Sequence, residues 1–186
     1  MRSMTLMATS VEVAPVLRRI ADSCKSLGWV ALLLAVVLVA FSGRYTLTFN
    51  TTPSLPIRVA IIEKGVFPTQ IGQMVAFRSV GYGPVPKGLV VVKKVMGLPG
   101  DLVTHIAPTQ TAHQAVAVIQ HGEQVVEQPV RRLSRTFQPL PLGPAGRIPD
   151  MHYHVGGTHP DSLDSRYGFM GWVRADQVIG TVAWAW

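Results

Sequence analysis

Residues 88–101 read Gly88-Leu-Val-Val-Val92-Lys93-Lys94-Val95-Met96-Gly97-Leu98-Pro99-Gly100-Asp101. The valine-rich run is short and ends at a Gly-Leu-Pro-Gly turn, which reads as a strand stopped by a tight turn. The same pattern recurs outward on both sides. Apolar runs at 57–62 (IRVAII), 72–79 (GQMVAFRS), 101–106 (DLVTHI), 115–120 (AVAVIQ), 124–127 (QVVE), 151–155 (MHYHV) and 178–184 (VIGTVAW) are each bounded by turn residues. No long amphipathic helical period interrupts them. The spacing predicts an all-β domain, barrel-like in shape. Residues 128–150 are Pro-rich and basic, and read as an extended surface excursion outside the core.

The lysines in the first stretch carry chemistry. On a strand, Val91, Lys93 and Val95 share one face, and Val92, Lys94 and Met96 the other. Both lysines therefore have apolar neighbours, and periodicity does not choose between them. Desolvation favours the neutral amine, and a neutral amine near pH 7 is a general base. The plainer alternative is an edge-strand lysine whose amine snorkels to water.

Composition locates the domain. Hydrophobic residues make up 48% of 186, and much of the excess is local. Leu27–Gly43 contains no charge, and at 1.5 Å per residue this stretch covers about 25 Å as a helix, the short end of a membrane span. Arg2, Arg18, Arg19 and Lys25 precede it, so residues 1–26 are expected in the cytoplasm and 44–186 in the periplasm, across an inner membrane. A cleaved signal peptide ending near Ala40-Phe41-Ser42 is the rival reading, and the long basic lead-in argues against it. Arg18-Arg19 lacks the residues usual after a twin-arginine pair. Pro15 is expected to limit helix before the span. Cys24 stands alone, so no intramolecular disulfide is possible. Net charge is +7, yet no basic patch with interleaved aromatics suggests nucleic acid. A basic surface beside a bilayer more naturally meets anionic lipid.

Two further segments bear on the lysine. Upstream, Asn50-Thr51-Thr52-Pro53-Ser54-Leu55-Pro56 holds a serine stiffened by prolines. Downstream lies Ser162-Leu163-Asp164-Ser165-Arg166-Tyr167. If extended, Ser162, Asp164 and Arg166 would share a face. Each segment has an ordinary reading: a turn serine, a turn-capping Thr51 or Thr52, a structural Asp164–Arg166 salt bridge.

Taken in order behind a membrane span, Ser-x-Pro, the lysine frame and Ser-x-Asp-Ser-Arg-Tyr resemble the boxes of the type I signal peptidase family. The Asn-Thr-x-x-Ser-x-Pro box more narrowly resembles the TraF-type conjugative transfer peptidases. The resemblance implies a β-fold shared with LexA-like self-cleaving repressors, and it implies a Ser-Lys dyad. Ser54 is then the nucleophile. Lys93 is the base, because it stands four residues before the first glycine of Gly-x-Pro-Gly-Asp, and Lys94 matches a surface position. Thr52 matches a hydroxyl residue that helps the serine N–H stabilise an oxyanion. Ser162 matches a residue that hydrogen-bonds the lysine amine, and Asp164 and Arg166 match a pair. In TraF-type enzymes the residue matching Asp164 belongs to the active site. A carboxylate there would favour the charged amine, so Asp164 reads as an orienting residue neutralised by Arg166. Arg58-Val-Ala follows where TraF-type sequences usually have Gly-Leu-Tyr. Residues 102–150 resemble nothing recognisable.

The implied substrate is an extended precursor polypeptide with small residues before the cut. For TraF-type enzymes it is a pilin of a conjugation or secretion machinery, in some cases cyclised. A general signal peptidase and a non-catalytic membrane-anchored scaffold are the competing readings. No cofactor is expected. His152, His154 and His159 lack the carboxylate spacing of a metal site and read as exposed strand histidines. Trp172 is expected in the core, and Trp184 and Trp186 are core or a membrane-facing belt.

Overall fold

The structure is a computed structural model that describes residues 14–50, 52–82, 85–107, 115–134 and 138–186, with the backbone alone over 14–26. The chain divides into two units, Met1–Gly43 and Arg44–Trp186.

The described residues of the first unit are helical throughout, within α1 (Ala14–Arg44). Contrary to expectation, Pro15 does not limit it. The proline stands in the first turn, where its missing N–H has no intrahelical partner to lose. Leu27–Arg44 is long and apolar enough to cross a membrane, and none of it is buried by protein. Such an all-round apolar surface suggests single-pass membrane anchoring. The rest of the predicted cytoplasmic lead-in, residues 1–13, and the Cys24 side chain lie outside the described residues, as does Thr51.

The second unit is built from strands β1 (Tyr45–Phe49), β2 (Val59–Lys64), β3 (Met74–Arg78), β4 (Val90–Gly97), β5 (Leu102–Ile106), β6 (Ala115–His121), β7 (Gln124–Val130), β8 (Gly146–Arg147), β9 (His152–Gly156), β10 (Val173–Arg174) and β11 (Val178–Ala185). The all-β expectation holds, but no barrel closes. Two open antiparallel sheets form, in the orders β1-β2-β11-β3-β4-β9-β10 and β7-β6-β5-β8. A barrel needs its outermost strands to pair, and β1 and β10 remain edges.

Alternation along β3 supplies two cores. Val75 and Phe77 pack with Val95, Tyr153, Val155 and Val173, whereas Ala76 packs with Leu55, Ile62 and Val92. The smaller sheet packs Val103 and Ile119 with Ile148. The sheets meet closely at Gly97, where a Cβ would come within 2.7 Å of Ile148 and 2.8 Å of Ile119.

The Pro-rich segment is not all surface. Gln128 and Val130 are buried in β7, and Ile148 is a core residue. Pro129 is tolerated because β7 is an edge strand. His154 is also not exposed: it is wholly buried, with Nε2 3.2 Å from Gln128 Oε1. Of these three histidines, His152 and His159 keep partial solvent access. Among the described residues no group of three ligating side chains could hold a metal ion. Trp172 packs on the smaller-sheet core, and Trp184 and Trp186 are exposed.

Candidate active site

Lys93 lies mid-strand in β4, opposite Val75 of β3. That register puts it on the face of the Val75–Phe77–Val95–Val155 core. It is 4% exposed, and its ammonium donates to Ser162 Oγ at 2.7 Å. Lys94, on the other face, is half-buried rather than fully at the surface. Burial pushes the Lys93 amine down from 10.5 to about 8, against the pull of Asp164 and with a smaller push from Arg166. An amine so placed is neutral in useful proportion near neutral pH.

Ser54 sits in the turn between β1 and β2 and is buried. Prolines at 53 and 56 restrict the turn, and Asn50 braces it. The Asn50 amide donates to Leu55 O at 3.2 Å and Ile57 O at 3.0 Å, while its Oδ1 accepts from Thr52 N–H at 3.3 Å. Thr52 Oγ1 lies 3.0 Å from Ser54 Oγ and 3.2 Å from Asn50 Oδ1. The single Thr52 hydroxyl proton serves one of these two at a time. When it goes to Ser54, the serine proton is free to leave in another direction.

Ser54 and Lys93 line one cavity of about 350 Å³, with Thr52 and Ser162. Its wall is largely apolar, from Leu89, Val90, Val91 and Tyr82. Burial raises the Tyr82 phenol to about 12, so it stays protonated.

The loop after β9 joins the two halves of this site. Thr158 N–H donates to Ser54 O at 2.9 Å. Gly157 N–H donates to Asp164 Oδ2 at 2.9 Å. A Cβ at Gly157 would overlap Ser162 Oγ and reach within 2.7 Å of Ser54 O, so only glycine allows this approach.

Ser162, Asp164 and Arg166 do not form an extended strand. The segment turns, which lets the Arg166 guanidinium grip Asp164 with Nε at 2.7 Å and Nη2 at 2.8 Å. Arg166 also donates to Pro129 O at 2.7 Å and Ser162 O at 3.2 Å. Asp164 is wholly buried, and this bidentate pairing, together with the Gly157 N–H, satisfies its oxygens. The pair thus ties Ser162, β7 and the Gly157 turn into one frame.

A family model described as signal peptidase, peptidase S26, matches residues 20–186. The chain belongs to this family. No curated protein matches the chain. S26 members are serine peptidases, and a signal peptidase acts on a precursor polypeptide. In this signal peptidase relative, sequence reasoning assigned no role to Asn50, Gly157 or Thr158. Asn50 stands inside the Asn-Thr-x-x-Ser box, and Gly156-Gly157 directly follows a strand. Both were available as signals of a braced turn and a close backbone approach.

Proposed function

We propose that the protein is a membrane-anchored serine endopeptidase in which Ser54 is the nucleophile and Lys93 the general base. The observation that carries this is the buried Lys93 amine, held at 2.7 Å by Ser162 in the cavity that Ser54 lines. Neutral Lys93 takes the Ser54 proton as Oγ attacks the scissile carbonyl. The resulting ammonium returns the proton to the departing amine, leaving an acyl-enzyme. Water then attacks with Lys93 again as base, releasing the acid and free Ser54. In this reading the Ser54 N–H and the Thr52 hydroxyl, released from Asn50, donate to the developing oxyanion. Ser162, Asp164 and Arg166 are positioning residues: Ser162 aims the amine, and the Asp164–Arg166 pair holds Ser162.

The apolar wall of Val90, Val91 and Leu89 suits small side chains before the cut. The substrate is an extended secreted precursor, delivered at the outer face of the inner membrane with α1 as the anchor and the domain in the periplasm. The Asn50-Thr-x-x-Ser54 box supports the narrower reading, a pilin precursor of a conjugative transfer or secretion system. In a cyclising variant of the reaction, a backbone amine of the precursor replaces water.

The test is incubation with secreted precursors encoded near the gene, followed by intact-mass measurement. A product pair whose masses sum to the precursor plus one water shows hydrolysis, and a fragment one water lighter than its linear form shows cyclisation. Processing by Ser54→Ala or Lys93→Ala at the native rate would refute the dyad.

A further inference from the structure

The strand β7 is an outer edge of the four-stranded sheet. It pairs with β6 so that Val116 faces Pro129 and Val118 faces Glu127. Pro129 has no N–H, and its carbonyl accepts from Arg166, so the backbone polar atoms at 129 point away from β6. Arg131 N–H, two residues on, likewise points outward, to the Tyr167 hydroxyl at 3.3 Å. Alternation gives Glu127 the same outward N–H and C=O. Glu127 is exposed, and among the described residues β7 has no strand neighbour on that side.

A groove of about 430 Å³ runs along this edge. Glu127, Pro129 and Arg131 line one side of it, and Gly157, Thr158 and Pro160 line the other. The loop that forms its second wall also presents His159, Asp161 and Ser162 to the cavity of Ser54 and Lys93. One loop therefore has the candidate active site on one face and the groove on the other. The Arg131–Asp161 ion pair, 2.6 Å long, marks the junction, because Asp161 lines the cavity and Arg131 the groove.

An endopeptidase substrate continues on both sides of its scissile bond. The apolar wall of the cavity takes the side chains before that bond, which leaves the chain after it to exit. We propose that the substrate segment on the carboxyl side of the cut passes over the Arg131–Asp161 pair and adds to the outer edge of β7 as a strand, hydrogen-bonding the backbone of Glu127. This rests on the endopeptidase reading above. Backbone pairing of this kind recognises an extended chain with little regard to its sequence, which suits an enzyme whose selectivity lies before the cut.

The test compares two peptides that share the residues before a cut bond mapped by mass on a processed precursor. One ends two residues after the bond and the other continues for eight. The full-length protein in detergent should cleave the long peptide with a kcat/KM about five- to tenfold higher, the scale of one or two backbone hydrogen bonds. Glu127→Pro removes only an outward N–H and spares the β6 ladder, so it should bring the two rates together, whereas Glu127→Ala should not. N-methylation of the long peptide at successive downstream positions, assayed on the wild type, should slow cleavage at the one position whose N–H meets the Glu127 carbonyl and not at its neighbours. Equal cleavage of both peptides by the wild type would overturn this inference alone. So would a folded Glu127→Pro variant that keeps the preference, uniform effects of N-methylation, or a Glu127→Pro variant that merely splits a dimer held through this edge. Failure of the wild type to cleave either peptide would overturn the endopeptidase reading as well.

Discussion

Replacing Lys93 with methionine, of similar length but uncharged, should strengthen the fold at neutral pH while removing activity. Burial holds the Lys93 amine at about 8, against 10.5 for a free lysine. At about 1.4 kcal/mol per unit, keeping it charged in the native state costs about 3 kcal/mol. The sign follows from proton counts. Between pH 8 and 10.5 the unfolded chain holds this proton and the folded chain has lost it, so stability rises with pH across that window. The cost is fully present below 8 and gone above 10.5. Losing the hydrogen bond to Ser162 offsets about 1 kcal/mol, so Lys93→Met should gain about 2 kcal/mol at pH 7 and lose about 1 kcal/mol at pH 10.5, where only the lost hydrogen bond remains. Urea unfolding followed by tryptophan fluorescence, at several pH values, measures it. A variant no more stable at pH 7, or a difference that does not change with pH, would refute the buried-amine argument. Activity reports the same group. With the amine at about 8, about one site in ten is neutral at pH 7, against about one in three thousand for a free lysine. The wild-type kcat/KM should rise about tenfold from pH 7 to 9 and then level. A flat profile would remove lysine as the base.

Ser54→Ala should abolish processing with an unchanged melting temperature, and Lys94→Ala should keep most activity. A dead Lys94→Ala beside an active Lys93→Ala would move the base to the other lysine. Asp164→Asn leaves the buried Arg166 guanidinium without its counter-charge and should cost about 3–5 kcal/mol. Any activity it retains should show its pH inflection below that of the wild type, because Asp164 holds the amine up. Gly157→Ala drives a methyl into Ser162 and Ser54. Its kcat should fall tenfold or more with KM little changed, a split that steady-state kinetics will show. His154 is held down to about 4 by burial, so the unfolded chain takes up this proton first as pH falls below 6.5. Stability should therefore drop by up to about 3 kcal/mol between pH 6.5 and 4, and thermal melts of His154→Gln should show a shallower decline.

Much of the architecture was legible because β-strands announce themselves locally. The runs at 72–79, 88–96 and 101–106 became β3, β4 and β5 because β-branched residues bounded by turn residues have few other stable forms. The short strands were not legible: β8 and β10 have two residues each, and two residues carry no period. The burial of His154 was not legible, because β9 has neighbours on both edges and alternation within one strand says nothing of what lies opposite. Pro129 suggested a surface excursion, yet an edge strand accepts a proline wherever its nitrogen faces outward.

The candidate site divides along the same line. Sequence alone determined which residue types stand at which spacing: a stiffened serine, a lysine among valines before a glycine turn, and a Ser-x-Asp-Ser-Arg segment. Those are properties of covalent neighbours. Tertiary structure alone decided that Lys93 meets a hydroxyl 69 positions along the chain, and that Gly157 lets Ser54 and Ser162 approach. It also decided how far the amine is desolvated. Burial and charge pairing depend on what other strands bring alongside, and no local pattern encodes them.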